Sequence, residues 1–252
     1  KYRMLDSTGS AEPGRYKTDR TPYLKAIMEA LSPSDPVQEV VFMKGSQIGA
    51  TEAGSNWLGY IIDVIPAPVL VVQPTGDLIK RYVKQHTAPM INNTPKVQTV
   101  RFIFMDEVDD YPADVSSQGD VVKLAEARTR TFRRNRKIFM PSTPTIKGKS
   151  RIEKAFDKST QDYYYLPCPH CLEKQILKFA NLRWEKARYD TVYYSCSHCG
   201  EAIEEKHKGW MLANGEWRSL KPHNKHRRGF HLSALYSPPG WFGWGDVAKE
   251  FE

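Results

Sequence analysis

The stretch VVFMKGSQIGATEAG, residues 40–54, decides the fold of this chain. An apolar run, a short turn with two glycines and a helix-forming segment are typical of a buried strand that leads into a phosphate-binding turn. The standard turn has the pattern G-x-x-x-x-G-K-[ST], in which lysine directly follows the second glycine. Here Ala50 follows Gly49, and Lys44 stands at the first position of the pattern instead.

A phosphate-binding turn needs backbone N–H groups at a helix N-terminus, a hydroxyl for the metal ion and one cation. Gly49 and Thr51 occupy the second-glycine and hydroxyl positions, and the long side chain of Lys44 could reach the same phosphates from the start of the turn. The predicted nucleotide-binding residues of the turn are Lys44, Gly45, Ser46, Gln47, Ile48, Gly49, Ala50 and Thr51. The ordinary alternative is a strand–turn–helix unit with a solvated lysine.

The segment FIFMDE, residues 102–107, is an apolar strand that ends in two acids. In a nucleotide hydrolase the first acid, here Asp106, orients Mg²⁺ together with the hydroxyl of Thr51. The second acid, Glu107, can polarise the attacking water. An acidic surface loop would have the same composition. Because both elements occur in the right chain order and at strand ends, the pattern favours nucleotide hydrolysis.

A third strand end carries hydroxyl groups, in the segment PSTPT at residues 141–145. Ser142, Thr143 and Thr145 stand where a hydroxyl could sense the γ-phosphate or pass its loss to a DNA-gripping part. On spacing alone, a proline-rich turn with capping hydroxyls is the favoured interpretation.

Strands alternate with helices through residue 145, which predicts a parallel sheet with crossover helices. The predicted strands are 39–43, 67–75, a run from 101 and 137–145, and the predicted helices are 22–31, the segment from the turn to about 62, 77–91 and 120–132. KVQTV runs into RFIFMDE without a turn residue, so we expect a segment to be missing between Val100 and Arg101.

Net charge and hydropathy bear on the kind of partner that the chain binds. The chain of 252 residues has a net charge of +8, which favours a polyanion such as nucleic acid, although a generally basic surface is an equally good explanation. The sequence contains no apolar run of 18 residues, so we expect no contact with a membrane.

Four cysteines form two C-x-x-C pairs, which are Cys168 with Cys171 and Cys196 with Cys199. Two such pairs supply four thiolates to one tetrahedral ion, so the pattern predicts a closed structural Zn²⁺ site rather than free thiols or two disulfides. His170 and His198 lie inside the pairs but are not expected to bind the ion. The predicted division is an ATPase domain over 1–160, a zinc-ribbon-like module over 161–235 and the start of a linker over 236–252.

As a set, these motifs resemble those of the large terminase subunit of tailed bacteriophages, of the lambda-type (GpA-like) group. KGSQIGAT resembles its turn with a displaced lysine, FIFMDE its metal and water acids, and STPT its coupling motif. RTPYLKAI resembles its adenine-contacting segment, which makes Tyr23 a candidate stacking residue. LPCPHC, YYSCSHCGEAIEE and GFHLSALYSPPGW extend the resemblance to nearly the whole chain.

The resemblance implies a P-loop, RecA-like α/β fold with a parallel sheet, flanking helices and a zinc-ribbon-like module. It also implies Mg²⁺-dependent ATP hydrolysis that drives double-stranded DNA into a procapsid, in the host cytoplasm during virus assembly. The implied partners are DNA, a small terminase subunit, the portal of the procapsid and further copies of the chain. Nuclease activity is expected only from a C-terminal domain that lies outside this sequence.

Two other functions share some of these features. A helicase-like or remodeller-like DNA ATPase would use the same site to unwind strands. A zinc-ribbon DNA-binding or scaffold protein with a decayed nucleotide site would explain Ala50 at the usual lysine position, but it does not explain why Lys44, Asp106 and Glu107 are all present.

Overall fold

The computed structural model describes residues 4–5, 14–78, 101–112, 120–132 and 134–252. The strands are β1 (Met4–Leu5), β2 (Gly14–Arg15), β3 (Glu39–Lys44), β4 (Val69–Val72), β5 (Phe102–Met105), β6 (Lys137–Ser142), β7 (Asp162–Pro167), β8 (Lys174–Gln175), β9 (Leu182–Glu185), β10 (Arg188–Ser195), β11 (Ala202–Glu204), β12 (Glu216–Ser219) and β13 (Arg227–Leu232). The α-helices are α1 (Leu24–Ala30), α2 (Ala50–Val64), α3 (Val121–Ala127), α4 (Arg151–Asp157), α5 (Lys208–Ala213) and α6 (Trp244–Phe251).

The decisive stretch folds as predicted, with β3 leading through residues 45–49 into α2. Val40, Val41 and Phe42 of β3 are all inaccessible to solvent. A strand that is buried on both faces lies inside a sheet that is covered on both sides. β3 therefore delivers its carboxyl end, and the turn that follows, to the centre of one sheet edge.

The main sheet has the strand order β12-β7-β13-β3-β6-β5-β4, with β8 paired to β7. The pairs from β7 through β13, β3, β6 and β5 to β4 are all parallel. β12 and β8 pair with β7 in the antiparallel sense. Because β3, β6 and β5 are parallel neighbours, the segments that follow all three strands meet at one edge of the sheet, as predicted.

Alternate residues of the strands enter two separate apolar layers. Phe104 of β5 packs with α1 and α2 on one face, whereas Ile103 packs with Ile152 and Phe156 of α4 on the other. Helix α2 approaches the sheet so closely that a Cβ atom on Gly54 would lie 2.3 Å from the ring of Phe104. This arrangement of helices on both faces of a mostly parallel sheet confirms the predicted α/β class.

The main sheet crosses the predicted boundary between residues 160 and 161, so that part of the domain division is wrong. β13, assigned by composition to a module over 161–235, lies beside β3, with Phe230 opposite Phe42. β7 and β12 extend the same sheet. Parallel pairing joins segments that are far apart in the chain, and a local change in composition does not reveal it.

The C-terminal part adds a small antiparallel sheet of order β11-β10-β9. Helix α6 packs on β10 through Trp244, which is fully buried and donates from Nε1 to the Leu235 carbonyl at 3.0 Å. The prediction of a linker over 236–252 is therefore wrong for residues 244–251, because their apolar face is part of the core.

Two predictions fall outside the described residues. They are most of the helix at 77–91 and the junction after Val100. Among the helices that the structure describes, none combines the length and the apolar character needed to cross a membrane.

Candidate nucleotide and metal sites

The turn between β3 and α2 has the backbone of an anion-binding turn. Gln47 and Gly49 have left-handed φ angles of 56° and 77°, and Gly49 caps the N-terminus of α2. Left-handed residues in such turns direct successive N–H groups inward, and the helix adds the positive end of its dipole. Gly45 meets a different demand, since a Cβ atom there would lie 2.4 Å from the backbone nitrogen of Ala234.

Lys44 lies at the site despite its displaced position in the sequence. Its side chain is almost fully buried, and Nζ donates to Glu107 Oε1 at 2.5 Å and to Thr143 Oγ1 at 3.3 Å. The ammonium group thus lies over the ends of β5 and β6, where a phosphate held by the turn would be within reach.

The usual lysine position is closed to a long polar side chain. Ala50 is 3% exposed and belongs to the apolar cluster that contains Leu24 and Ile27 of α1. Ala50 therefore serves as a packing residue, and Lys44 supplies the cation from the other end of the turn.

The two acids after β5 occupy different environments. Asp106 is buried, and its Oδ2 accepts a hydrogen bond from Thr51 Oγ1 at 3.3 Å. Glu107 has a left-handed φ of 50°, which is uncommon for a residue with a side chain. Its N–H donates to the Pro141 carbonyl, and its Oε2 accepts from the N–H of Thr143, both at 2.9 Å. These bonds hold the backbone of Glu107 in the turned conformation.

Asp106 and Thr51 fit a divalent cation. Burial first, and Glu107 second, raise the pKa of Asp106 to about 6, while Lys44 and the Thr51 hydroxyl act against this shift. Within the part of the chain that the structure describes, the buried Asp106 Oδ1 has no hydrogen-bond partner of ordinary geometry. A carboxylate and a hydroxyl are oxygen ligands of the kind that Mg²⁺ prefers, and a bound cation would compensate the buried charge.

Gln73 is a site residue that the sequence interpretation missed. It directly follows β4, and among the described residues its buried Nε2 atom has no hydrogen-bond partner of ordinary geometry. The interaction with the Gln73 side chain acts to lower the pKa of Asp106. The available signal was its place as the first polar residue after the apolar run VLVV, at a fourth strand end on the same edge.

Asp109, two residues after Glu107, connects three segments. Its Oδ2 accepts from both N–H and Oγ1 of Thr145 at 3.0 Å, and its Oδ1 accepts from the N–H of Ile152 at 2.8 Å. Its own N–H donates to Ser142 Oγ at 3.2 Å. Burial opposes ionisation, but hydrogen bonds from Ser150, Ile152 and Thr145 hold the pKa of Asp109 below its usual value.

Tyr23 lies beneath the turn rather than beside an open pocket. Its ring is fully buried against Tyr164, and its hydroxyl donates to the Ile48 carbonyl at 3.3 Å. Burial raises the pKa of Tyr23 well above its usual range. The stacking role stays a prediction that this burial does not support, whereas a role in supporting the turn follows directly from the contacts.

The four cysteines come together as the spacing predicts. Their sulfur atoms all lie within 4.8 Å of one another, with 3.9 Å between Cys168 and Cys199 and 3.9 Å between Cys171 and Cys196. A tetrahedral zinc site with Zn–S bonds of about 2.3 Å requires sulfur separations of about 3.8 Å, whereas a disulfide requires about 2.0 Å. The cluster therefore has the dimensions of a zinc site and contains no disulfide.

The two turns that carry the cysteines have the same internal design. Leu172 and Gly200 follow the second cysteine of each pair, have left-handed φ angles, and donate to Cys168 and Cys196 carbonyls at 3.0 Å. Although burial opposes it, hydrogen bonds from the backbone N–H groups of Cys199 and His198 lower the pKa of Cys196 to about 6, while burial raises the pKa of the neighbouring Cys168 to about 12. Backbone donors of this kind favour the thiolate that binds metal.

The two histidines lie outside the four-sulfur group. His170 bonds through Nε2 to the Ala202 carbonyl at 3.1 Å, and His198 is exposed.

The sequence matches the protein family described as phage terminase large subunit gpA, ATPase domain, over residues 10–100 and 96–217. The two matched stretches overlap at residues 96–100.

Two curated relatives align with almost the whole chain. The terminase large subunit of Enterobacteria phage P21 is 26% identical over 318 aligned positions, which cover 99% of this chain and 49% of the relative. The terminase large subunit of Escherichia phage lambda is 23% identical over 314 positions, covering 98% of this chain and 47% of the relative. The chain thus spans about half the length of these relatives.

Proposed function

The chain belongs to the phage terminase large subunit gpA family, of which it carries the ATPase domain, and on that premise we propose that it is a P-loop, RecA-like motor domain. The proposed activity is Mg²⁺-dependent hydrolysis of ATP that drives double-stranded DNA into a procapsid. The observation that carries the proposal is the meeting of Lys44, Glu107 and Thr143 with the Thr51–Asp106 pair at one edge of a parallel sheet.

The phosphates would be held by the turn at 45–51 and by the ammonium group of Lys44. Thr51 and Asp106 would hold Mg²⁺, which, when bound, neutralises the charge that develops on the phosphate oxygens. Lys44 now pairs with Glu107, so transfer of the ammonium group to phosphate would free the Glu107 carboxylate to orient the attacking water. Thr143 is bonded to both Lys44 and Glu107, so its hydrogen bonds would change when the two side chains separate.

A decayed nucleotide site is less well supported. Decay predicts that the residues of the site lose their mutual contacts, whereas Lys44, Glu107, Thr51 and Asp106 are paired with one another. The alanine at position 50, which was the best argument for decay, is explained by its place in the apolar cluster.

The proposed partners follow from membership of the family. They are double-stranded DNA, a small terminase subunit, the portal of a procapsid and further copies of the chain, in the host cytoplasm during assembly. For the four cysteines we propose a closed structural Zn²⁺ site in a zinc-ribbon-like arrangement, since four protein ligands leave no open position for catalysis.

The first test is a comparison of Glu107→Gln with the unaltered chain. The amide keeps the size of the side chain but cannot act as a base, so we expect ATP to bind while turnover falls at least about 100-fold. Binding is measured with a fluorescent ATP analogue, and turnover is measured as phosphate release with Mg²⁺, with and without duplex DNA. Glu250→Gln, at an exposed position on α6, is the control.

The outcomes separate the possibilities. Normal turnover in Glu107→Gln would overturn the assigned role of that residue. If the unaltered chain fails to bind the analogue, a zinc-bearing scaffold becomes the better interpretation.

A further inference from the structure

A basic surface covers the C-terminal end of α4 and the loop before β13. All of its members are exposed, and the loop itself contains no acidic residue. The surface, called here the α4 basic surface, consists of Lys154, Lys158, Lys221, His223, Lys225 and His226.

Hydrogen bonds fasten the loop to the helix, so the backbone that carries these lysines keeps its position. Lys221 Nζ donates to the Asp157 carbonyl at 2.9 Å, and Asn224 Nδ2 donates to the Lys158 carbonyl at 2.7 Å. Asn224 Oδ1 also accepts from the N–H groups of His226 and Arg227. Free carbonyls at a helix C-terminus attract such donors. The loop is therefore a built part of the fold.

Two of the nearby acids are neutralised, whereas Asp157 of α4 is exposed beside the surface. Glu39 pairs with Arg136 and Arg227, and Asp162 is buried beside Arg228. Lys158 and Lys225, in contrast, have no ion-pair partner within the described part of the chain. The four lysines of the surface outnumber Glu153 and Asp157 on α4, so the surface keeps an excess of positive charge.

The other end of the same helix reaches the nucleotide site. Asp109 accepts from the N–H of Ile152 in the first turn of α4, and Arg151 donates to the carbonyls of Val108 and Pro112, which follow Glu107. A helix of seven residues is about 10 Å long. One short rigid element therefore joins the end of the catalytic strand to the basic surface.

We propose that the α4 basic surface binds the phosphate backbone of duplex DNA. The inference rests on the proposed DNA-motor function and assigns a place to the DNA contact. Lysines are compact, flexible point charges that suit phosphates without reading bases, so the contact would be independent of sequence. A motor that moves along DNA needs contacts of this kind.

The test replaces two lysines that hold no other group. Lys158→Gln/Lys225→Gln should weaken binding to a duplex of mixed sequence and reduce the slope of log affinity against log salt by about 2. Basal ATP hydrolysis should not change, because neither residue touches the site. Lys186→Gln/Lys249→Gln, at exposed positions near α6, removes the same charge elsewhere. Fluorescence anisotropy at several salt concentrations measures both quantities.

Three results would overturn the proposed DNA contact. An equal loss of slope in both double variants would overturn the proposal, because only total charge would then matter. Unchanged binding in Lys158→Gln/Lys225→Gln would overturn it as well. If the unaltered chain hydrolyses ATP but does not bind duplex DNA, the DNA part of the proposed function fails, and this inference fails with it.

Discussion

At the scale of single residues, the displaced lysine is a question of which side chain can reach the phosphates. Position 50 begins α2 and points into the apolar cluster beneath the turn, where a charge would lose its hydration. Position 44 ends β3, and its side chain extends over the ends of β5 and β6. A lysine at either position could supply the one cation that the site needs. In this fold the side chain at position 44 reaches the phosphate site, whereas position 50 faces the apolar cluster.

A restoration experiment follows from this difference. In Lys44→Ala/Ala50→Lys, the lysine stands at the usual position of the motif, yet we expect no recovery of ATP hydrolysis over Lys44→Ala alone. Overpacking at position 50 should lower the free energy of unfolding by about 1–3 kcal/mol. Chemical denaturation and phosphate release measure the two effects. Ser46→Lys adds the same side chain at an exposed position of the same turn and is the control for overpacking. Recovered turnover would show that the turn can rearrange around position 50.

Residues in local motifs could be predicted, and those placed by long-range packing could not. Lys44, Thr51 and Asp106 follow from the order of strand, turn and acid along the chain. The environment of Tyr23 depends on Tyr164, which is far away in sequence. Asp109 looked like one more surface acid, because its partners lie on α4 and after β6.

At the scale of elements, the same limit applies to β13. Its sequence, RRGFHL, begins with two arginines and follows a cysteine-rich segment, which indicated a separate module. The two arginines form ion pairs with Glu39 and Asp162. Gly229 leaves room for Ser159 of the loop after α4. Only tertiary partners make this segment a strand of the main sheet.

The metal site is the element with the clearest dependence on a ligand. We expect one zinc per chain by elemental analysis, and we expect a chelator to lower the thermal midpoint, since β9, β10 and β11 have little apolar core of their own. Hydrogen exchange should rise first in residues 182–204 and remain slow in β3. Cys171→Ser should lose the zinc, while His198→Ala should keep it. Retention of zinc by the cysteine variant would contradict the four-sulfur site.

At the scale of the whole molecule, α4 is placed to connect loss of the γ-phosphate at the nucleotide site with DNA contact at the α4 basic surface. Its first turn is bonded to Asp109, which also holds Thr145 in the turn after β6, and its last turn supports the α4 basic surface. Thr143 donates to Glu107, and Thr145, two residues further along the same turn, donates to Asp109. Loss of the γ-phosphate would change the partners of Glu107, and Asp109 is the next polar link to the helix.

This connection predicts that Asp109 serves coupling more than chemistry. Asp109→Asn keeps the size of the side chain but weakens its bonds to Thr145 and Ile152, at a cost of about 1 kcal/mol in stability. We expect the KM for ATP and the basal turnover to stay close to normal, while stimulation of turnover by duplex DNA falls severalfold. Asp110→Asn, which removes an exposed charge from the adjacent residue, should leave stimulation intact. A purely structural role would instead weaken ATP binding, basal turnover and thermal stability together. Full DNA stimulation in Asp109→Asn would show that the nucleotide site and the basic surface communicate by a route other than α4.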